Sequence, residues 1–168
     1  DGEICNIIAD TFKSCGLKND QFIINVSNRK ILQGLLSETK IKGDQETKVI
    51  RAIDKLDRLG MQAVRDLLQD GRKDDSGAIT KGANLSNNQT DAILNFIQIK
   101  DIIELKKSIK NELSLEGIEE LDQMFNILAK GKFLEFIKLN LNIMRGLSYY
   151  SGNCWETNLN FKAKNAKG

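Results

Sequence analysis

The stretch IKLNLNIMRGLSYYSGNCWETNLNF, residues 137–161, decides the fold predicted for this chain. Its first part alternates apolar and polar residues from Ile137 to Ile143, which is the period of a half-buried β-strand. The alternation returns at residues 153–161, where Trp155 and its partners face one way and polar side chains face the other. We therefore predict two antiparallel strands that are joined near Gly152 as a β-hairpin with one polar face.

Most of the preceding chain has apolar residues at helical spacing. The first predicted helix ends at Gly16, and its apolar face comprises Ile4, Ile7, Ile8, Phe12 and Cys15. A strand at residues 21–26 separates it from a second helix with Ile31, Leu32, Leu35 and Leu36 on one face. Two short helices broken at Gly60, a helix started by the capping-box pair Ser86 and Gln89, and further helix to about residue 129 follow. This order predicts an α/β or α+β fold.

A polar segment, residues 71–88, interrupts the helical middle of the chain. It is rich in Gly, Ser, Asn and Asp, and it carries Arg72, Lys73 and Lys81. This composition is typical of a long, mobile loop with a functional role.

The composition restricts the possible functions. The 168 residues are 40% hydrophobic and 29% charged, which fits one domain, or a piece of a larger one, with no membrane span. The start of the chain lacks a secretory signal, and three scattered cysteines suggest neither a disulfide framework nor a zinc site, so we expect a cytoplasmic protein. The absence of histidine excludes Ser-His-Asp and Cys-His catalysis.

Arg145, Tyr149 and Tyr150 are the candidate ligand-binding residues. A guanidinium that follows a strand is suited to bind phosphate or carboxylate, and tyrosine rings can close over a small flat ligand. Alternatively, Arg145 is a solvated strand-end residue and the tyrosines are ordinary sheet aromatics. Strand alternation puts Tyr150 on the face opposite to Arg145 and Tyr149, so a common pocket requires a bend or bulge.

Three stretches resemble one known family in the same order along the chain. RGLSYYSGNCWE is similar to the histidine-binding signature of histidyl-tRNA synthetases, which usually reads RGLDYYTG followed by an aromatic residue and a glutamate. INVSNRKILQGLL resembles the strand and helix after motif 2, and VIRAIDKLDRLG resembles the start of the inserted helical domain. The resemblance implies a partial class II aminoacyl-tRNA synthetase catalytic domain, an antiparallel sheet with helices, interrupted by an all-α insertion.

The resemblance also implies domain limits. Residues 1–42 would be the catalytic-domain segment after motif 2, and residues 43–130 the helical insertion. Residues 131–168 would form the β-hairpin with the histidine-binding motif. Motif 2, motif 3 and a GGGRYD-like segment are not found, so we expect an internal piece or a truncated copy that cannot form adenylate alone.

The function implied by the resemblance is histidine–tRNA ligation. ATP and histidine would form histidyl-adenylate, with Mg²⁺ in the complete enzyme, and the histidyl group would pass to tRNA(His); the complete enzyme would be a homodimer. Arg145 would act catalytically near the α-phosphate and the histidine carboxylate, and Tyr149 and Tyr150 would surround the histidine. Ser148 replaces the usual aspartate and removes a carboxylate that could hold Arg145, which leaves a non-catalytic, tRNA-binding or regulatory paralogue as the alternative.

Basic residues of the predicted insertion are candidate tRNA contacts through phosphate. They are Arg51, Lys55, Arg58, Arg72, Lys73 and Lys81. For any single one of them the alternative is a solvated surface charge. Cys5 and Cys15 are expected to pack in the core from the first helix, and Cys154 to lie in the sheet near the pocket mouth.

Overall fold

The computed structural model describes residues 1–73, 77–143 and 151–161, and it has the predicted α+β architecture. The helices are α1 (Gly2–Ser14), α2 (Arg29–Glu38), α3 (Asp44–Ile53), α4 (Leu56–Leu68), α5 (Asn87–Gln98), α6 (Ile102–Ser108) and α7 (Glu112–Leu128). The strands are β1 (Phe22–Asn28), β2 (Gly71–Lys73), β3 (Ile79–Lys81), β4 (Ile137–Leu139) and β5 (Asn153–Leu159), and a 3₁₀ turn (Leu134–Phe136) precedes β4. None of the helices in these ranges is long and apolar enough to cross a membrane.

The main sheet has three strands in the order β4-β1-β5. Strand β1 pairs in parallel with β4 and antiparallel with β5, so the predicted hairpin between the last two strands is wrong. The first of these strands is also shorter than predicted, because it ends at Leu139 and the side chain of Asn140 then accepts from the backbone nitrogen of Asn142 at 3.1 Å. Alternation identifies the faces of a strand, but it does not identify the strand's hydrogen-bond partner.

The sheet has one apolar side, which packs on helices α1 and α7. Phe22 of β1 is buried there between Phe12 and Phe136, with ring centroids 5.1 and 4.8 Å away. Ile24 and Val26 follow on the same side of β1 and are fully buried. The other side of the sheet carries the polar residues, as the alternation predicted.

Helix α1 forms where it was predicted, but it buries a different face. Cys5 and Ala9 are completely buried, whereas Ile4 and Ile7 are 44% and 61% exposed. Cys15 is exposed, so its predicted place in the core is wrong. Small side chains allow this helix to lie close to the sheet, and the indole nitrogen of Trp155 donates to the Cys5 sulfur at 3.0 Å.

The region after residue 43 contains helices and a small β-ribbon. Helices α3 and α4 are separated at Asp54 and Lys55, and Gly60 forms a kink inside α4 with a left-handed φ of 79°, a conformation that suits glycine. The predicted loop at 71–88 is in part wrong, because β2 and β3 pair as an antiparallel ribbon. Residues 74–76 of that segment lie outside the described residues.

Polar side chains cap the N-termini of four of the described helices, α2, α5, α6 and α7. The predicted capping box of Ser86 and Gln89 is confirmed, with both reciprocal hydrogen bonds present at the start of α5. Asn28, Asp101 and Asn111 cap α2, α6 and α7 through their side-chain oxygens, which accept from backbone nitrogens of the first turn. Helix α7, which falls within the predicted insertion range of 43–130, packs against α1, α2 and the sheet; the proposed domain limits stay a prediction.

Candidate functional site

The polar side of the sheet carries side chains from all three strands. Asn25 of β1 is opposite Lys138 of β4 and Glu156 of β5, and paired residues project from the same face. Ser27 is opposite Cys154, two residues further along the ladder and on the same face. Asn25 and Ser27 are buried, at 7% and 0% exposure, so this face holds polar groups away from bulk water.

A chain of asparagines fixes the end of β4 to β1. The Asn25 amide donates to the Asn158 side-chain oxygen at 2.8 Å, and its own oxygen accepts from the Asn140 amide at 3.3 Å. The Asn140 backbone nitrogen also donates to the Val26 carbonyl at 2.9 Å. These bonds hold the backbone that leads from β4 into the RGLSYYSG motif.

The motif residues themselves cannot be placed on this face. Arg145, Ser148, Tyr149 and Tyr150 lie outside the described residues, which resume at Ser151. Their predicted roles, and the bend that a shared tyrosine pocket requires, therefore stay predictions.

A narrow cleft of about 40 Å³ lies at the start of the motif. Its lining comprises Ile53, Asp54, Asp57, Asn140, Asn142, Ile143 and Glu156. The α3–α4 junction thus reaches the polar face of the sheet and brings two aspartates beside Glu156. Carboxylates at one cleft attract cationic groups.

A second cluster lies at the other end of the motif, where β5 begins. The Asn28 amide donates to the Asn153 side-chain oxygen at 2.8 Å and to a Glu120 oxygen at 2.7 Å. The second Glu120 oxygen accepts from the Lys30 ammonium at 2.6 Å, and Lys30 also contacts Glu116 at 2.6 Å.

These contacts shift two ionisation equilibria. Partial burial acts to raise the pKa of the Glu120 carboxyl, but the hydrogen bonds from Lys30 and Asn28 outweigh it and hold this pKa below its ordinary value. The hydrogen bonds to Glu116 and Glu120 raise the pKa of the Lys30 ammonium. The cluster is therefore an ion pair with an added amide donor.

The candidate tRNA contacts are only partly brought together. Arg51, Lys55 and Lys81 line a groove of about 190 Å³ between α3 and β3, together with Lys48. Arg58, Arg72 and Lys73 are not part of its lining. We call the four lining cations, Lys48, Arg51, Lys55 and Lys81, the basic groove.

Two parts of these sites were missed in the sequence. Lys48 precedes Arg51 and Lys55 by three and seven residues, a helical spacing that could have revealed it. The Asn28–Glu120 contact joins residues 92 positions apart, so no local pattern could have found it.

The sheet has one polar face, and helices separate its first strand from the other two along the chain. This fold is that of a partial class II aminoacyl-tRNA synthetase catalytic domain. The histidyl-tRNA synthetase family model matches residues 1–160, and the chain belongs to this family. A histidine–tRNA ligase of Pelagibacter ubique is 56% identical over 168 residues, which cover 99% of this chain and 36% of that protein. A ligase of Jannaschia sp. is 38% identical, over 100% of this chain and 36% of its own length.

A solved structure agrees with this assignment. The histidyl-tRNA synthetase of Nostoc sp. PCC 7120 superposes with a TM-score of 0.77 and 25% identity, over 95% of this chain and 36% of that one. The chain thus spans about a third of the length of the relatives that it matches.

Proposed function

We propose that the chain provides the histidine-binding part of a histidine–tRNA ligase, which activates histidine with ATP and transfers it to tRNA(His). The observation that carries this proposal is the family match over residues 1–160, which contain the RGLSYYSG motif. The polar sheet face supports it, because both described ends of the motif segment are hydrogen-bonded to β1.

The assigned chemistry depends on charge stabilisation and positioning. Arg145 stabilises negative charge on the α-phosphate and orients the histidine carboxylate, while Tyr149 and Tyr150 enclose the amino acid. The acidic cleft of Asp54, Asp57 and Glu156 suits the ammonium group of an amino acid. No step requires a histidine side chain of the protein.

Magnesium is proposed to accompany ATP, because Mg²⁺ prefers phosphate and carboxylate oxygens. Within the described ranges, no group of three or more His, Cys, Asp or Glu residues could hold a metal ion. We propose further that the complete enzyme is a homodimer in the cytoplasm; three scattered cysteines without a CxxC pair fit a reducing compartment.

The basic groove is proposed to contact tRNA phosphates. Arg51 of α3, Lys55 after this helix and Lys81 of β3 meet at one surface and concentrate positive charge in a chain of net charge only +2. Lys48 joins them while it is paired with Asp44 at 2.7 Å. In this proposal the insertion, residues 43–130, presents the groove to the tRNA.

The test is histidine-dependent exchange between ATP and pyrophosphate in a full-length ligase. The enzyme is the Pelagibacter ubique ligase in which this segment replaces the matching part; the two segments are 56% identical. We call it the segment-exchange ligase. We expect exchange with the unmodified segment, and a loss on the order of 10²–10³-fold in kcat on Arg145→Ala, as for other preorganised donors. Full exchange by the Arg145→Ala enzyme would contradict the assigned role.

The second candidate is a non-catalytic, tRNA-binding or regulatory paralogue. It is favoured by Ser148, which stands where the family usually has aspartate. This candidate predicts tRNA binding without binding of histidine or ATP. Calorimetric titration with histidine and with ATP separates the two functions.

A further inference from the structure

The backbone at the C-terminal end of the motif is hydrogen-bonded to the start of α2. The Gly152 carbonyl accepts from the Arg29 backbone nitrogen at 2.9 Å. Asn153 forms the last pair of the β1–β5 ladder with Asn28, and their side chains are hydrogen-bonded at 2.8 Å. The C-terminal end of the motif is therefore attached at the boundary between β1 and α2.

Asn28 connects this attachment to helix α7. Its side chain is fully buried, at 0% exposure, and both of its polar atoms have partners. The oxygen accepts from the Lys30 backbone nitrogen at 2.9 Å and caps α2. The amide donates to both Asn153 and Glu120, so a single side chain joins β1, α2, α7 and β5.

Helix capping alone does not explain this arrangement. A cap requires only an acceptor, and Asp or Ser serves that purpose about as well as Asn. The amide of Asn28 is a buried donor aimed at two oxygens, one of which belongs to a carboxylate. Glu120 is itself oriented by Lys30, which reaches its other oxygen at 2.6 Å.

We propose that Asn28 and Glu120 are positioning residues for histidine binding, acting through Asn153, which directly follows the RGLSYYSG motif. The inference rests on the proposed function. Asn153 follows Tyr150 by three positions, so the anchor lies within roughly 10 Å of chain from the tyrosine. Misplacement of a binding group by about 1 Å can cost 10²-fold in rate, so a loosened anchor weakens histidine recognition.

Asn28→Asp separates the two functions of the side chain. The aspartate retains an acceptor for the cap of α2, but it cannot donate to Asn153 and it faces the Glu120 carboxylate. In the full-length segment-exchange ligase, we expect the KM for histidine to rise about tenfold while the KM for ATP stays within about twofold.

A compensating variant tests the proposed contact directly. In Asn28→Asp/Glu120→Gln the donor and the acceptor are exchanged, because the glutamine amide can donate to the aspartate. The double variant still lacks the donor to Asn153, so we expect it to recover only the part of the loss in histidine KM that comes from repulsion between the two carboxylates, which is a coupling that independent sites would not show. Ser114→Ala is the matched control, since it removes a buried hydrogen bond to the Ile31 carbonyl at the same α2–α7 contact; it should lower stability without changing the histidine KM.

Hydrogen exchange gives a readout that is independent of activity. Asn28→Asp should reduce protection of the amides at 151–153, and Ser114→Ala should leave it unchanged. An unchanged histidine KM in Asn28→Asp, or a double variant no better than the single one, overturns the inference. Absence of exchange activity in the unmodified segment-exchange enzyme instead overturns the proposed function, while the protection data still report on the anchor.

Discussion

Gly34 on α2 lies against Ser114 on α7 so closely that a β-carbon built on Gly34 would stand 2.8 Å from the Ser114 backbone nitrogen. The Ser114 hydroxyl donates to the Ile31 carbonyl at 2.8 Å in the same contact. Since backbone atoms cannot move aside like a flexible side chain, the two helices could accommodate a larger residue only by separating.

Gly34→Ala is therefore expected to lower the free energy of unfolding by about 1–3 kcal/mol, as other overpacked sites do. Urea unfolding followed by circular dichroism measures the change. Gly2→Ala is the matched control, because its added β-carbon would lie at an ordinary 3.5 Å from Ile127. Equal stabilities of the two variants would contradict close packing of α2 on α7.

The sequence predicted the helices and strands better than it predicted which of them pack or pair with one another. Strand β1 and the cap of α5 were found from local patterns, because periodicity and capping depend on residues a few positions apart. The pairing of β4 with β1 joins Ile24 to Ile137, and no local signal reports such a distant contact. Burial in α1 was misjudged because Ile4 and Ile7 are more hydrophobic than Ala9, whereas close packing against the sheet favoured the smaller side chain.

The candidate site was predicted in a similarly uneven way. The order of residues in the motif with Arg145 identified the family, while the role of Arg145 stays a prediction. The supporting contacts of Asn28 with Glu120 and Asn153 arise only when distant elements pack, so they required the structure. Likewise, Lys81 joins Lys48 and Arg51 only because the β2–β3 ribbon lies beside α3.

Neutralisation of the basic groove is expected to weaken tRNA binding in a salt-dependent way. Arg51, Lys55 and Lys81 are changed together to alanine, and the dissociation constant is measured over a range of salt concentrations. The slope of log K against log salt should fall by about one for each tRNA phosphate that the variant no longer neutralises.

The control for this experiment is a triple alanine variant of equal charge at exposed lysines outside the groove. Lys107, Lys110 and Lys130 are suitable. If the groove binds tRNA phosphates, log K should depend less steeply on log salt for the groove variant than for this control. Identical slopes would show that only net charge matters.

Acid stability should depend on Glu120. Because its pKa is lowered in the folded state, its contribution is present above the ordinary glutamate pKa of about 4.3 and is lost as the pH falls through the lowered value. The pKa of Lys30 is raised in the folded state, so its contribution to stability is lost at alkaline pH, as the pH rises through the raised pKa.

Glu120→Gln should therefore flatten the decrease in unfolding free energy between about pH 6 and about pH 3, measured by urea unfolding. Glu119→Gln, at the exposed neighbouring position, should retain the steeper decrease of the unmodified chain. A Glu120→Gln profile parallel to that of the unmodified chain would argue against a stabilising carboxylate in this cluster.

The three cysteines should differ sharply in reactivity, which tests the placement of α1 on the sheet. Cys15 is exposed, whereas Cys5 and Cys154 are 0% and 4% exposed. Burial raises the pKa of the Cys5 thiol and so lowers its reactive thiolate fraction. With a chromogenic disulfide reagent, one thiol should react rapidly and two slowly, and Cys15→Ser should abolish the rapid phase.

Trp155, the sole tryptophan, contacts the Cys5 sulfur at 3.0 Å, so its fluorescence should change only in the slow phase. A rapid fluorescence change, or a second rapidly reacting thiol, would mean that α1 does not cover the sheet as described.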